Sequence, residues 1–388
     1  MATTNRILAY SKGLVENGAR VSIFNPFPTD NHIEGVQDEK NEGVYEGISY
    51  IYTSGRYLPR SKWIRACLRV TGIKRVVGYI TSVLKIAEKD SENSIDWIII
   101  STDEIRSLLV FSIMAKILRI RSVFIFDEYP IPIRHKLKET VPKWKEIFYS
   151  WVLRHIDAYI SISENLKAYY CSLSIKPTHV LSVIVDTSRF KNAKRNEILQ
   201  KQKYLCYMGN LELSKDDVDN IIRAFAIVVQ KYPDFRLWLF GPVHSENVFK
   251  LKNLIKKLNI EEKVEFKGQV SSLEVPSILA NAHILVSSQP DTKRASGGFP
   301  TKLGEYLSTG VPSLFTDVGE NSRYVKDGEH VFLARPENSK DYACKLFFII
   351  ENYESAVKIA RQGKTFIQNN YSHLIKGKEI LSFLKALK

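Results

Sequence analysis

The stretch Gly297-Gly298-Phe299-Pro300-Thr301-Lys302-Leu303-Gly304-Glu305-Tyr306-Leu307, closing with Gly310-Val311-Pro312, says more about architecture than any other part of the chain. It reads as a glycine-rich loop that runs into a short helix, which stops at a glycine before a buried strand. Thr301 is placed to cap the helix, and Leu303, Tyr306 and Leu307 give it an apolar face. Gly310 fits the left-handed position after the last turn, and Pro312 blocks continuation. Unpaired backbone N–H groups and the helix dipole gather at such an N-terminus, and Lys302 adds a full positive charge. One turn on, Glu305 can accept hydrogen bonds from neutral hydroxyls away from any phosphate. Two readings stand: a receptor for a diphosphate joined to a sugar or ribose, or an ordinary loop–helix–strand connection.

On either side of this stretch, short apolar runs alternate with longer amphipathic ones, the pattern of parallel sheets covered by helices. In the first half, strands are expected over 20–24, 48–52, 96–100, 122–126, 158–161 and 179–184. In the second they are expected over 204–207, 236–240, 264–266, 284–286, 313–315 and 331–333. The charged segment 186–203 between them reads as a linker. Two doubly wound domains facing each other turn their strand ends toward a shared cleft, where ligands bind. The expected division is 1–187, a first Rossmann-like domain, and 188–366, a second one, followed by 367–388.

A length of 388 residues suits two domains of moderate size. The four cysteines lie far apart with no Cys-x-x-Cys pair, which argues against structural zinc and a disulfide framework and for a reducing cytosol. The longest uncharged apolar run, near 108–115, is too short to span a bilayer, and the N-terminus lacks the apolar core of a signal peptide. A cytoplasmic protein is expected.

The net charge of +14 calls for an anionic partner: nucleic acid, membrane or small molecule. Over 60–90, eight basic residues, among them Arg65, Arg69 and Lys74, meet only two acids and are interleaved with Trp63, Ile73, Val77 and Leu84. Over 134–155, Trp144, Phe148 and Trp151 stand among Lys136, Lys138, Lys143 and Lys145. Basic helices carrying tryptophan and aliphatic residues suit the headgroup interface of an anionic bilayer; a solvated basic face over a core helix is the competing reading. No zinc-finger spacing or RNA-binding aromatic signature accompanies the charge, so nucleic acid is not expected as a partner.

At Tyr207-Met208-Gly209-Asn210-Leu211 with Ser214-Lys215, Leu237-Trp238-Leu239-Phe240-Gly241-Pro242, Val264-Glu265-Phe266-Lys267-Gly268, Ala280-Asn281-Ala282-His283 and 312–317, the chain resembles the retaining glycosyltransferases of family 4. The resemblance covers nearly the whole chain and is densest after Lys203. It implies an α/β protein of the GT-B fold, two Rossmann-like doubly wound domains facing a cleft, with 1–187 binding the acceptor, 188–366 the nucleotide sugar, and a helix in 367–388 packing back on the first. It further implies a nucleoside diphosphate sugar as substrate, no cofactor and no metal. By the resemblance, Gly209, Asn210, Gly241, Gly297, Gly298, Phe299, Thr301, Lys302, Leu303 and Glu305 contact the donor, with Glu305 holding the ribose hydroxyls. By the same resemblance Lys215 is expected to neutralise the departing diphosphate, with Lys302 restoring the positive charge lost elsewhere in the motif.

The chain also departs from the family. The first glutamate of the Glu-x7-Glu motif falls on Gly297, so backbone N–H groups of Gly298 and Phe299 are expected to take over its contact to the sugar. The family's arginine after the first donor-domain glycine falls on Asn210. In the first half, Phe126-Asp127-Glu128-Tyr129-Pro130 leaves a strand toward the cleft. There Asp127 and Glu128 are read either as binding or activating the acceptor hydroxyl or as capping the next helix, and Arg134 as touching an anionic acceptor or as a solvated side chain. The family opens with a strand and a glycine loop; here residues 1–4 already read as the start of a helix that Thr3 or Thr4 caps, with Ile7, Leu8, Ser11, Leu14 and Val15 on one face and Gly18 at its end. The first strand and glycine loop of the N-terminal domain are therefore expected to be missing.

Asp217-Val218-Asp219 has the spacing of a divalent-metal motif, but acids at the start of a helix also complement its dipole. The expected activity is transfer of a sugar, with retention, to a hydroxyl of a lipid-linked or polysaccharide acceptor in cell-surface glycan synthesis. The enzyme would sit peripherally on the inner face of the plasma membrane. A same-fold nucleotide-sugar epimerase, or a degenerate homologue that only binds a membrane or partner, are the rivals.

Overall fold

The computed structural model describes the chain apart from residues 1, 29–39, 58, 60, 72, 103, 131–141, 183, 198–201, 243–245, 299–300 and 388. Thirteen strands appear among the described residues: β1 (Ser22–Asn25), β2 (Glu42–Tyr45), β3 (Ile48–Tyr52), β4 (Trp97–Ser101), β5 (Arg121–Phe126), β6 (Ala158–Ser161), β7 (Thr178–Val180), β8 (Tyr204–Met208), β9 (Arg236–Phe240), β10 (Val264–Gly268), β11 (Ile284–Val286), β12 (Ser313–Thr316) and β13 (Phe332–Ala334). The last six form one parallel sheet in the order β10-β9-β8-β11-β12-β13. Its inner strands β9, β8, β11 and β12 are near-continuous apolar runs because helices cover both faces, whereas the edge strand β10 alternates. The order reverses between β8 and β11, so the crevice at the carboxyl ends of those two strands is the ligand position that this topology creates.

The first half holds two sheets. One runs β4-β5-β6-β7, all parallel; the other runs β1-β3-β2, with β1 parallel to β3 and β2 antiparallel to it. Among the described residues no strand joins β1 to β4. The side chains of β1, and most of those of β4, are only partly covered, whereas β5 is buried from Ser122 to Phe126 and β6 throughout. The hairpin strand β2, reading Glu-Gly-Val-Tyr, has no apolar alternation and was not among the expected strands.

The helix Ala2–Glu16 begins at Ala2, so Thr3 and Thr4 lie within its first turn and neither caps it. It is buried on two sides. Tyr10 and Leu14 pack with Val123, Ile125 and Ile160 of the central strands. Gly13 crosses Gly377 of the helix His373–Ala386 so closely that a Cβ on either would enter the other backbone. The buried face thus centres on Ala9, Tyr10, Ser11, Gly13 and Leu14; of the stripe Ile7, Leu8, Ser11, Leu14 and Val15 that periodicity singles out, Ser11 and Leu14 are buried and the other three only partly covered.

Candidate functional site between the two sheets

The helix Thr301–Thr309 stands at the crevice, with Thr301 in its first turn rather than at the cap. Tyr306 fixes it to the sheet: its buried Oη accepts a hydrogen bond from Met208 N at 3.0 Å. Leu303 is fully buried in the core, so its side chain supports the helix and does not face a ligand. At the helix start, Lys302 Nζ donates to Asp216 Oδ1 at 2.5 Å and to Tyr207 Oη at 3.1 Å, and lies over the Tyr207 ring. Burial, reinforced by the neighbouring Asp216, raises the Tyr207 phenol well above its ordinary pKa, so it remains a neutral partner. Gly209 leaves room for this arrangement, since a Cβ there would collide with both the Tyr207 hydroxyl and the Lys302 ammonium. Gly241 packs against the Gly209 carbonyl in the same way, and Asn210 is exposed.

One turn along, Glu305 turns toward the first domain. Its Oε1 accepts from Arg189 Nη1 at 2.9 Å and from Asn5 Nδ2 at 3.3 Å. Arg189 also donates to the Ser272 carbonyl at 3.1 Å, and the neighbouring Arg6 pairs with Asp127. Glu128 stands between two cations of the second domain, with Lys215 Nζ 3.8 Å from Oε1 and Arg294 Nη2 3.4 Å from Oε2. The structure thus brings together Asp127, Glu128, Lys215, Lys302 and Glu305. Arg134 and Phe299 lie outside the described residues.

The stretch around Gly297 differs from the loop expected there. Residues Lys293–Gly297 form a short helix, capped by Thr292, whose hydroxyl accepts from Ala295 N. The Gly298 N–H bonds back to the carbonyls of Arg294 and Ala295, so it is not free to hold a sugar. Gly297 is buried against the Tyr129 ring, which fills the space that a side chain at 297 would enter. Ser163 Oγ donates to the Gly297 carbonyl at 2.7 Å, and Asn165 Nδ2 to the Ser296 carbonyl at 2.7 Å. Glu320 accepts from the backbone N–H groups of Glu164 and Asn165 at 3.3 and 3.1 Å, at the start of the helix Glu164–Leu173. This seam holds the two sheets' carboxyl edges together across the cleft.

Behind Lys215, Asp217 adopts left-handed backbone with φ 39° and is nearly buried. Asn220 Nδ2 donates to Ser288 Oγ, which donates to Asp217 Oδ2, both at 3.0 Å. Burial first, and the adjacent Asp219 second, push the Asp217 carboxyl up to about 7.

Arg6, Arg189 and Arg294 were not singled out from the sequence. Each acts on an acid more than 100 residues away, which leaves no local pattern. Only Arg294, three residues before the glycine of the motif, offered a signal by position.

Two Rossmann-like layers whose strand ends face one cleft define the GT-B class of glycosyltransferase folds. Sucrose-phosphate synthase from Thermosynechococcus elongatus superposes with a TM-score of 0.69 at 13% identity, covering 98% of this chain and 92% of that one. Anabaena HepE, in a structure with UDP and glucose, gives 0.61 at 17% identity over 78% of this chain and 81% of its own. Residues 188–366 match the family described as Glycosyl transferases group 1. Mannosylfructose-phosphate synthase of Agrobacterium fabrum is 26% identical over 206 residues, 49% of this chain and 44% of that protein. The match thus spans less than half the length of that relative. No helix among the described residues is long and apolar enough to cross a membrane.

Proposed function

We propose that the protein transfers a sugar from a nucleoside diphosphate sugar to an acceptor hydroxyl, with retention and without a metal ion. The observation that carries this is the position of Glu305 one turn beyond Lys302 at the switch point of the sheet, with Lys215 and Arg294 facing the same cleft. In this reading Glu305 leaves Arg189 and Asn5 to hold the ribose, while Lys215 and Lys302 stabilise the diphosphate as its bond to the sugar breaks. The electron pair of that bond leaves with the phosphate, the acceptor oxygen bonds to the same face of the sugar, and its proton passes to the departing phosphate oxygen. Glu128 is held by Lys215 and Arg294 in the donor-free protein. A bound diphosphate competes for these cations and releases the carboxylate to orient the acceptor hydroxyl. The Ser163, Asn165 and Glu320 contacts keep the cleft shut against water.

The acceptor is a lipid-linked or growing surface polysaccharide, met by a peripheral protein on the inner face of the plasma membrane. Incubation with labelled UDP-, GDP- and ADP-sugars and a lipid extract tests the reading. The predicted result is a glycosylated product with the donor's anomeric configuration; an inverted configuration, or an epimerised nucleotide sugar without acceptor, would overturn it.

A further inference from the structure

Three neighbouring helices of the first domain leave an apolar stripe to solvent. On Ile73–Glu92 the stripe is Ile73, Val76, Val77, Ile80 and Leu84, spaced by three and four residues and all exposed. The helix Ile105–Ile117 packs against it and adds Ile113 and Ile117, the latter 74% exposed. The helix Lys143–Leu153 packs on that one in turn and adds Trp144, Ile147, Phe148 and Trp151, with Trp144 at 66% and Ile147 at 69% exposure. A soluble surface normally scatters such residues singly; three adjoining stripes mark an interaction face.

The charge around the stripes identifies what covers them. Lys116, Lys143 and Arg154 are exposed, with no acid paired to them among the ion pairs of the described residues, and Lys145 extends over the Trp144 ring. At the far end, His155 lies near Lys116 and Lys176; burial first and these two cations second lower its pKa. The exposed Ile175 adjoins this end. Tryptophan and aliphatic side chains ringed by lysine and arginine complement the headgroup layer of an anionic bilayer, where the rings sit at the interface and the cations meet lipid phosphate.

We propose that this three-helix flank docks the protein on an anionic phospholipid bilayer. Docking also orients the site. A recess lined by Glu104, Ile105, Phe126, Asp127, Glu128 and Tyr149 lies where two of these helices meet the cleft. Docking thus sets the helices that flank Asp127 and Glu128 against the bilayer; delivery of a lipid-borne acceptor to those residues rests on the transfer reaction proposed above, whereas the docking itself does not.

Flotation of the full chain with vesicles, without donor or acceptor, tests docking independently of catalysis. The chain should partition onto vesicles of phosphatidylcholine with phosphatidylglycerol, stay in solution with phosphatidylcholine alone, and be released by salt. Lys143→Glu with Lys145→Glu should lower partitioning by roughly thirtyfold or more, from two lost attractions and two added repulsions. Trp144→Ser with Ile147→Ser should abolish it at unchanged unfolding temperature; if that variant fails to fold, the lysine variant still decides. Equal partitioning of the lysine variant and the parent, or no partitioning of the parent onto either vesicle, would overturn the proposal. So would a dimer in lipid-free solution that the Trp144 variant dissolves while the parent ignores both vesicles, because the face would then belong to a second copy of the chain.

Discussion

The ring of Tyr129 lies against Gly297, in the volume that any side chain at that position would enter. The two residues come from opposite domains, and Tyr129 is further held under Lys293, whose ammonium lies 5.7 Å from the ring centroid. The absence of a carboxylate at 297 is thus matched by an aromatic residue in its place. Gly297→Ala should destabilise the protein by about 1–3 kcal/mol through overpacking. Combining it with Tyr129→Ala should cost less than the sum of the single changes, read by denaturant unfolding as a double-mutant cycle. Strict additivity would mean that the contact does not exist in solution.

The two lysines of the site should separate in stability. Lys302 pairs with Asp216, whose side chain is almost wholly buried, so Lys302→Ala should cost about 3 kcal/mol by leaving that carboxylate unpaired. Lys215 meets Glu128 at 3.8 Å in a partly exposed pair, and Lys215→Ala should change stability by less than about 1 kcal/mol. Both should lower turnover. Equal unfolding midpoints for the two variants would contradict the geometry.

Asp217 makes stability depend on pH in a defined direction. Its folded-state pKa is raised to about 7 from an ordinary 3.8, so the folded chain holds a proton that the unfolded chain releases. Its contribution is fully present below about pH 4 and is lost as pH rises toward and through 7. Asp217→Asn accepts the Ser288 hydrogen bond without the charge and suits left-handed backbone. The variant should therefore gain about 1–2 kcal/mol at pH 8, the full shift being discounted for partial solvent access, and nothing at pH 4. Thermal unfolding at the two pH values checks this, and an equal change at both would refute it.

The second domain was legible almost strand by strand, because β8, β9, β11 and β12 are short buried apolar runs bounded by polar or glycine turns. The elements that were not legible have physical causes. Strand β2 is polar and held by its hairpin, not by burial. The helix Lys293–Gly297 is barely one turn long and ends in glycine, so it reads as loop until the Thr292 cap is seen. The reading of residues 2–16 as a helix required only periodicity, but its packing did not follow from the stripe: two glycines brought together by the fold, Gly13 and Gly377, set the crossing. The cations that engage Glu305, Asp127 and Glu128 come from remote segments, beyond the reach of any window on the sequence.

The central claim, a nucleoside diphosphate site organised by Glu305, is tested most directly by calorimetric titration of the purified chain with UDP, GDP and ADP. One nucleotide should bind saturably at a single site, and Glu305→Ala should weaken it by about 2 kcal/mol, roughly thirtyfold, while Arg189→Ala leaves binding in place. Absence of binding by all three to the folded protein, or full binding to Glu305→Ala, would contradict the account.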